Sequence, residues 1–171
     1  MLVLASGRGE RFAASGGQGS KLRALLAGRP VLEHTLAAVR ASGLPHHVED
    51  AGHPGMGESI AAAVRATAGA NGWLVLPGDL PLIAPRSLQA VAEALAAHDV
   101  VLPFYRGARG HPVGFSARHG AALQALHGAE GAAAIVQQGN VLRLDLDDPG
   151  TVTDIDTVAD LARAEALLAG R

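Results

Sequence analysis

Apolar residues in this chain fall into two kinds of run, and their alternation predicts the architecture. The stretches Leu2-Val-Leu-Ala5 and Trp73-Leu-Val-Leu76 carry no polar face, so they read as strands buried on both sides. His46 to Asp50, Asp99 to Tyr105 and Val141 to Leu144 are further short strands. Gly110 to Phe115 is a second extended piece after a basic turn at Arg106 and Arg109. Between these lie segments with helical period. Leu32, Leu36 and Val39 share one face of a helix that Pro30 opens and Gly43 with Pro45 ends. Glu58 to Ala68 aligns Ile60, Ala63, Val64 and Thr67, and the stretch after Pro85 aligns Leu88, Val91, Ala92 and Leu95. Ala121 to Leu126 and Gly131 to Gln138 are helical in pattern. The last helix starts at Thr157 with Asp160 in capping-box spacing and turns Val158, Leu161, Ala162 and Leu168 towards the core.

Strands that alternate with helices build a mostly parallel sheet covered on both faces and joined by right-handed crossovers. No repeat or linker divides the chain, so residues 1–171 are expected to form a single domain. Composition narrows the class further. The chain is 49% hydrophobic and 3% aromatic, and its net charge is −2. This balance offers neither the basic surface nor the stacking platforms that nucleic acid requires. Cysteine is absent, which excludes disulfides, thiolate metal sites and Cys nucleophiles. No apolar run approaches membrane-spanning length. A cytoplasmic protein with no nucleic-acid or membrane partner is expected.

Candidate chemistry begins where the first strand stops. Gly7-Arg8-Gly9 permits a tight turn and close approach to backbone N–H groups, and Arg11 and Lys21 bracket the segment that follows. A strand that runs into a Gly-rich loop with fixed cations suits a polyphosphate. Two acidic positions stand apart from this loop. Asp79 follows the Trp73–Leu76 strand at the edge where open α/β sheets bind ligands, and Asp154 and Asp156 precede the last helix. If all lie at one rim, Mg²⁺ could bridge the carboxylates to triphosphate oxygens. Glu58 and Ser59, directly after a Gly-rich turn, face a ligand or simply start a helix.

Leu4-Ala-Ser-Gly-Arg-Gly-Glu-Arg-Phe12 with Lys21, Gly78-Asp-Leu-Pro-Leu82, Gly110-His-Pro-Val-Gly-Phe115 and Asp154-Ile-Asp-Thr157 occur in the order of a known family. Together they resemble the nucleotidyltransferases related to MobA and MocA, from near Met1 to about Leu168. The resemblance implies a Rossmann-like three-layer α/β/α fold of the nucleotide-diphospho-sugar transferase type. It implies Mg²⁺-dependent transfer of GMP or CMP from GTP or CTP to the phosphate of molybdopterin cofactor, with release of pyrophosphate. A molybdoenzyme would be a further partner. By resemblance, Arg11, Lys21 and Asp79 are catalytic, and Leu4, Ala5, Gly7, Gly9, Arg11, Lys21, Gly57, Ser59 and Gly78 bind the nucleotide. Gly110, His111 and Pro112 lie towards the acceptor, and Asp79, Asp156 and Asp154 hold the metal.

The chain departs from that pattern in places. Arg11 and Lys21 are ten positions apart, several more than the family's usual spacing, so Lys21 is expected to sit differently. Gly43 to Met56 is short for the strand–helix unit usual there. Gly128-Ala-Glu-Gly-Ala-Ala133 lacks an Asp and an Arg that the family often carries. These departures keep open an alternative, a non-catalytic module that binds nucleotide or molybdenum cofactor and assists molybdoenzyme maturation. A dinucleotide-binding oxidoreductase is disfavoured, because Phe12 occupies the third glycine position of that fingerprint. The eight histidines are scattered, and the adjacent His46 and His47 would point to opposite faces of a strand.

Overall fold

The computed structural model describes residues 1–7, 9–137 and 140–170. Arg8 of the predicted loop and Gln138 of the predicted 131–138 helix lie outside the described residues. In chain order the elements are β1 (Leu2–Leu4), α1 (Glu10–Ala14), β2 (Leu25–Leu26), β3 (Arg29–Pro30), α2 (Val31–Ala41), β4 (His47–Glu49), α3 (Met56–Ala66) and β5 (Gly72–Pro77). They continue with α4 (Pro85–Ala94), β6 (Val100–Tyr105), β7 (Ala108–Arg109), β8 (Val113–Ser116), α5 (Gly120–Gln124), α6 (Ala133–Val136), β9 (Val141–Asp145) and α7 (Val158–Ala169).

β1 pairs in parallel with β4 on one side and β5 on the other. β8 pairs antiparallel with β5 and with β6, and β9 extends the sheet in parallel from β6. Five strands therefore share one direction, while β8 and the short β7 run against it. The sheet is mostly parallel, as the alternation of strands and helices implied.

Side-chain alternation explains the layers. Leu2, Trp73, Val75, Val100 and Leu102 point to one face and pack with Ile60 and Val64 of α3, Leu123 of α5 and Ile135 of α6. Val3 and Leu76 point to the other and meet Leu36 and Val39 of α2 and Leu88 of α4. Leu74 and Val101 join that second face through Val91. The result is the three-layer α/β/α arrangement of a Rossmann-like fold.

Several expectations are corrected in detail. The first strand ends at Leu4; the Ala5 N–H donates to the Glu49 carbonyl at 2.8 Å as the chain leaves the sheet. Pro30 belongs to β3 and precedes α2 rather than starting it. Helix α3 begins at Met56, so Gly57 is helical, not part of the irregular turn. The 131–138 helix shortens to one turn, α6. On α7, Val158 and Ala162 are exposed, and Ala164 is the buried residue, flanked by the half-buried Leu161 and Leu168. The helix is rotated from the expected face because only its Ala164 side meets Phe12, Leu26 and Ile155. Its capping box is present as expected.

Asp148 ties β9 to the other half of the molecule. This buried carboxylate accepts hydrogen bonds from the Ala84 N–H (2.9 Å), the Ser87 hydroxyl (2.7 Å) and the Gly150 N–H (2.9 Å). Asp148→Ala strands three donors in a buried setting, so it should lower unfolding free energy by about 2–4 kcal/mol in urea titration. A loss below about 0.5 kcal/mol would show that water or neighbours replace those bonds.

Candidate active site

The site lies at the rim formed by the carboxyl ends of β1, β4 and β5. β1 and β5 continue side by side past the sheet, where the Gly78 N–H donates to the Leu4 carbonyl at 2.9 Å. A Cβ at Gly78 would come within 3.0 Å of that carbonyl oxygen and 2.9 Å of Leu32, so this approach needs glycine. Asp79 follows directly. Its backbone carbonyl accepts from the Ile155 N–H at 3.0 Å, and the Ile155 side chain is buried against Phe12, Leu82 and Ala164. Asp156 is brought beside Asp79 by that anchored isoleucine.

The loop after β1 supplies the cations. Gly9 has φ +63°, the left-handed region that favours glycine, and its Cα faces the Lys21 backbone. Between them the chain folds over the buried Phe12 ring, which leaves no room for a Cβ at Gly17. The extra loop length is thus absorbed in residues 15–20, and Lys21 returns to the glycine turn. Leu22, buried next to it, fixes the short helical turn that carries Lys21.

At the centre of the rim, Lys21 Nζ stands 2.6 Å from Asp79 Oδ2 and 2.6 Å from Asp156 Oδ1. Arg11, largely exposed, pairs with Asp156 Oδ2 at 2.5 Å. Burial acts to lower the Lys21 pKa, but the two carboxylates outweigh it and hold the ammonium above the ordinary lysine value. Asp79 Oδ1 is buried with no hydrogen-bond partner. The carboxyl of Asp154 is pushed up, first by desolvation and then by the charges of Asp156 and Asp79. Among the described residues, no three His, Cys, Asp or Glu side chains group to hold a metal ion alone.

A cleft of about 310 Å³ opens from this charged end, lined by Leu4, Ser6, Gly7, Lys21, Leu22, His53, Pro54, Gly55, Met56, Ser59, Pro77, Gly78 and Asp79. The Ser6 and Ser59 hydroxyls lie 2.9 Å apart and join the loop after β1 to α3. Of the nucleotide-binding candidates, Leu4, Gly7, Lys21, Ser59 and Gly78 line the cleft, and Gly9 shapes its loop. Ala5 and Gly57 do not line it. A Cβ at Gly57 would fall 2.6 Å from the His127 backbone, so this glycine serves the packing of α3 against residues 127–128.

The segment Gly110-His111-Pro112 reaches the same rim because β8 runs antiparallel, which places Val113 opposite Val75. Gly110 and Pro112 are buried, and the Gly110 backbone lies against Thr151. His111 is close enough to feel the Asp79 charge, yet burial dominates and lowers its imidazole pKa. His111 Nδ1 has no partner. Ser6, His53 and Met56 line the cleft without a motif in the sequence that marks them. Ser6 sits beside the loop glycines, and His53 is one of the scattered histidines.

The geometry is that of an α/β fold with a charged cleft at one rim of its sheet, and comparison with known proteins names its family. The family model for the MobA-like NTP transferase domain matches residues 41–144, more than half of the chain. The chain belongs to this family and is a nucleotidyltransferase. It is 33% identical to a 2-C-methyl-D-erythritol 4-phosphate cytidylyltransferase of Cereibacter sphaeroides, with 98% of this chain and 96% of that protein covered. Among solved structures, the manganese complex of Rv0371c from Mycobacterium tuberculosis H37Rv superposes with a TM-score of 0.75 at 23% identity over 96% of both chains. Molybdopterin-guanine dinucleotide biosynthesis protein A of Archaeoglobus fulgidus gives 0.72 at 18% identity, over 99% of this chain and 98% of that one. Among the described residues no helix is long and apolar enough to cross a membrane.

Lys21→Met leaves two partly buried carboxylates facing each other, which should destabilise the fold by about 3 kcal/mol at neutral pH. Because the Lys21 pKa is raised on folding, its contribution is complete below the ordinary value of 10.5 and is lost as pH climbs through the higher folded value. Thermal melts of both proteins from pH 7 to 11.5 should show a constant gap that narrows only at the alkaline end. A gap that closes already near pH 8 would contradict a cationic Lys21 between the acids.

Proposed function

We propose that the protein transfers CMP or GMP from CTP or GTP to the phosphate of molybdopterin cofactor, in the presence of Mg²⁺, and releases pyrophosphate. The observation that carries this reading is the Lys21 ammonium held by Asp79 and Asp156 at the mouth of a cleft walled by the Gly7 turn. An ammonium between two carboxylates occupies the kind of position that a divalent cation favours, and the orphaned Asp79 Oδ1 is a free oxygen for it. A pair of carboxylates is what Mg²⁺ usually takes from a protein when phosphates and water complete its shell. Asp79 and Asp156 would hold the metal, with Asp154 beside them, and the metal would neutralise charge on the triphosphate oxygens.

The remaining work falls to residues of the chain. Lys21 and Arg11 turn from the carboxylates to phosphate oxygens, and the Gly7 and Gly9 turn offers backbone N–H groups without side chains in the way. The acceptor phosphate oxygen attacks the α-phosphorus; the new P–O bond forms as the bond to the β-phosphate bridging oxygen breaks, and that oxygen departs on pyrophosphate. A phosphate monoester is already anionic at neutral pH, so no base is needed to strip a proton from it. Catalysis is positioning and charge neutralisation. His111, near enough to Asp79 to feel its charge, would lie towards the acceptor. The protein is thereby an enzyme rather than a delivery module.

A second acceptor is favoured by one observation, the 33% identity to a cytidylyltransferase that acts on 2-C-methyl-D-erythritol 4-phosphate. That acceptor too would present a phosphate monoester, so the chemistry at Lys21, Asp79 and Asp156 is unchanged and the difference lies in what surrounds the acceptor. Pyrophosphate release should be measured with CTP and GTP against each acceptor, with Mg²⁺ present and absent. The proposal expects Mg²⁺-dependent release with molybdopterin cofactor, abolished by Asp79→Ala. Turnover with the methylerythritol phosphate alone would transfer the assignment to the second acceptor, and triphosphate binding without release for either would favour a non-catalytic module. Lys21→Ala should weaken triphosphate binding by about ten- to a hundredfold, the loss of one charge-assisted contact. An unchanged dissociation constant would remove Lys21 from the phosphate site.

A further inference from the structure

A cluster that reaches the cleft through His53 is used by none of the chemistry above. Glu49, at the carboxyl end of β4, is buried at 8% exposure, and two imidazoles bind its carboxylate. His47 Nε2 lies 3.4 Å from Oε2, and His53 Nε2 lies 3.2 Å from Oε1. The Ala51 N–H adds a third bond to Oε1 at 3.3 Å. Desolvation works to raise the Glu49 pKa, but the hydrogen bonds from His47, His53 and Ala51 prevail and hold the carboxyl below the usual range. Glu49 is therefore a carboxylate at neutral pH and can only accept. The Glu49 backbone carbonyl also receives the Ala5 N–H, so the cluster is tied to the start of the phosphate loop.

The consequence falls on His53, which lines the cleft with Met56, Pro54 and Gly55. A ring nitrogen that faces a carboxylate must be the donor, so the neutral His53 imidazole carries its proton on Nε2. Nδ1 is then an acceptor, with no hydrogen bond to any described residue. Lys21 and Asp79 fix the phosphate end of the cleft, which leaves the His53 and Met56 end for the nucleoside. Met56, half exposed, offers an apolar surface beside that acceptor.

We infer that His53, positioned by Glu49, is a nucleoside-reading residue: its Nδ1 accepts a hydrogen bond from a donor on the bound nucleotide, either a base amino group or a ribose hydroxyl. The inference rests on the nucleotide reading of the cleft given above. It deepens that reading by naming the residue that discriminates among triphosphates. His53 is the binding group, and Glu49 is a positioning residue that sets its tautomer and orientation.

Calorimetric titration with Mg²⁺ present tests this without turnover. The wild type is titrated with CTP, UTP, GTP and ITP, and with the 2′-deoxy and 3′-deoxy forms of whichever binds best. UTP and ITP lack the amino groups of CTP and GTP, and the deoxy forms lack one hydroxyl each. The inference expects one such deletion to weaken wild-type binding by about tenfold, the scale of one good hydrogen bond. In His53→Ala that discrimination should vanish, while binding of inorganic pyrophosphate stays unchanged. Glu49→Gln should reduce the same discrimination several-fold with His53 still present; a thermal melt checks that this variant is folded. If His53→Ala keeps the full wild-type discrimination, His53 reads nothing and the inference falls alone. If no triphosphate binds the wild type, the nucleotide reading of the cleft falls with it.

Discussion

The Lys21 ammonium neutralises two carboxylates at the point where three stretches of chain meet. Two carboxylates a few ångströms apart repel, and neither could be partly buried beside the other at neutral pH without a cation between them. Lys21 supplies that cation, at 2.6 Å from Asp79 and from Asp156. It thereby fixes the loop after β1 to the end of β5 and to the approach of α7. The arrangement is also unsaturated, since Asp79 Oδ1 is buried without a partner. In the proposed reading, this compensated charge is exchanged for a ligand carrying both cation and anion, which is what a metal triphosphate is.

The fold makes this convergence through a few close backbone contacts. Gly78 lets β1 and β5 run on together beyond the sheet, so that the glycine loop and Asp79 share one rim. The buried Ile155 holds the acidic segment against Asp79 by a backbone hydrogen bond, and the two aspartates flank it. The reversed strand β8 then brings the preceding His111 to the same place. Each device is local and apolar or backbone in nature, and the charged groups ride on it. Lys21 and Arg11 therefore stand on a scaffold that backbone and apolar contacts hold.

Much of this was legible in the residues, and the exceptions have physical reasons. Strands buried on both faces, such as Trp73–Leu76, declare themselves because no polar residue interrupts them. Asp79 was legible for the same reason, since it follows directly on such a strand. The direction of Val113–Ser116 was not, because an extended segment looks the same either way until its partners are known. The core face of α7 was misjudged at Val158 and Ala162: an Ala- and Leu-rich helix has weak polarity between its sides, and only the position of Phe12 and Ile155 decides which side is covered. Gly57 stands at a helix start in a Gly-rich stretch, which suggests a ligand contact, but its close neighbour is the backbone of His127, far away in sequence. The Glu49–His53 pair stayed hidden because it joins a strand end to an irregular segment, where no period marks it.

The similar proteins carry the names of two different transferases. A molybdopterin-guanine dinucleotide biosynthesis protein shares this architecture, and a methylerythritol phosphate cytidylyltransferase shares a third of the sequence. The most direct test of the central claim is anomalous diffraction from crystals grown with Mn²⁺ and a non-hydrolysable triphosphate. The account predicts a metal peak between the Asp79 and Asp156 carboxylates, Lys21 displaced onto phosphate, and the triphosphate along the Gly7 turn. A metal and triphosphate bound at the opposite edge of the sheet, with the Lys21 ion pairs intact, would contradict it.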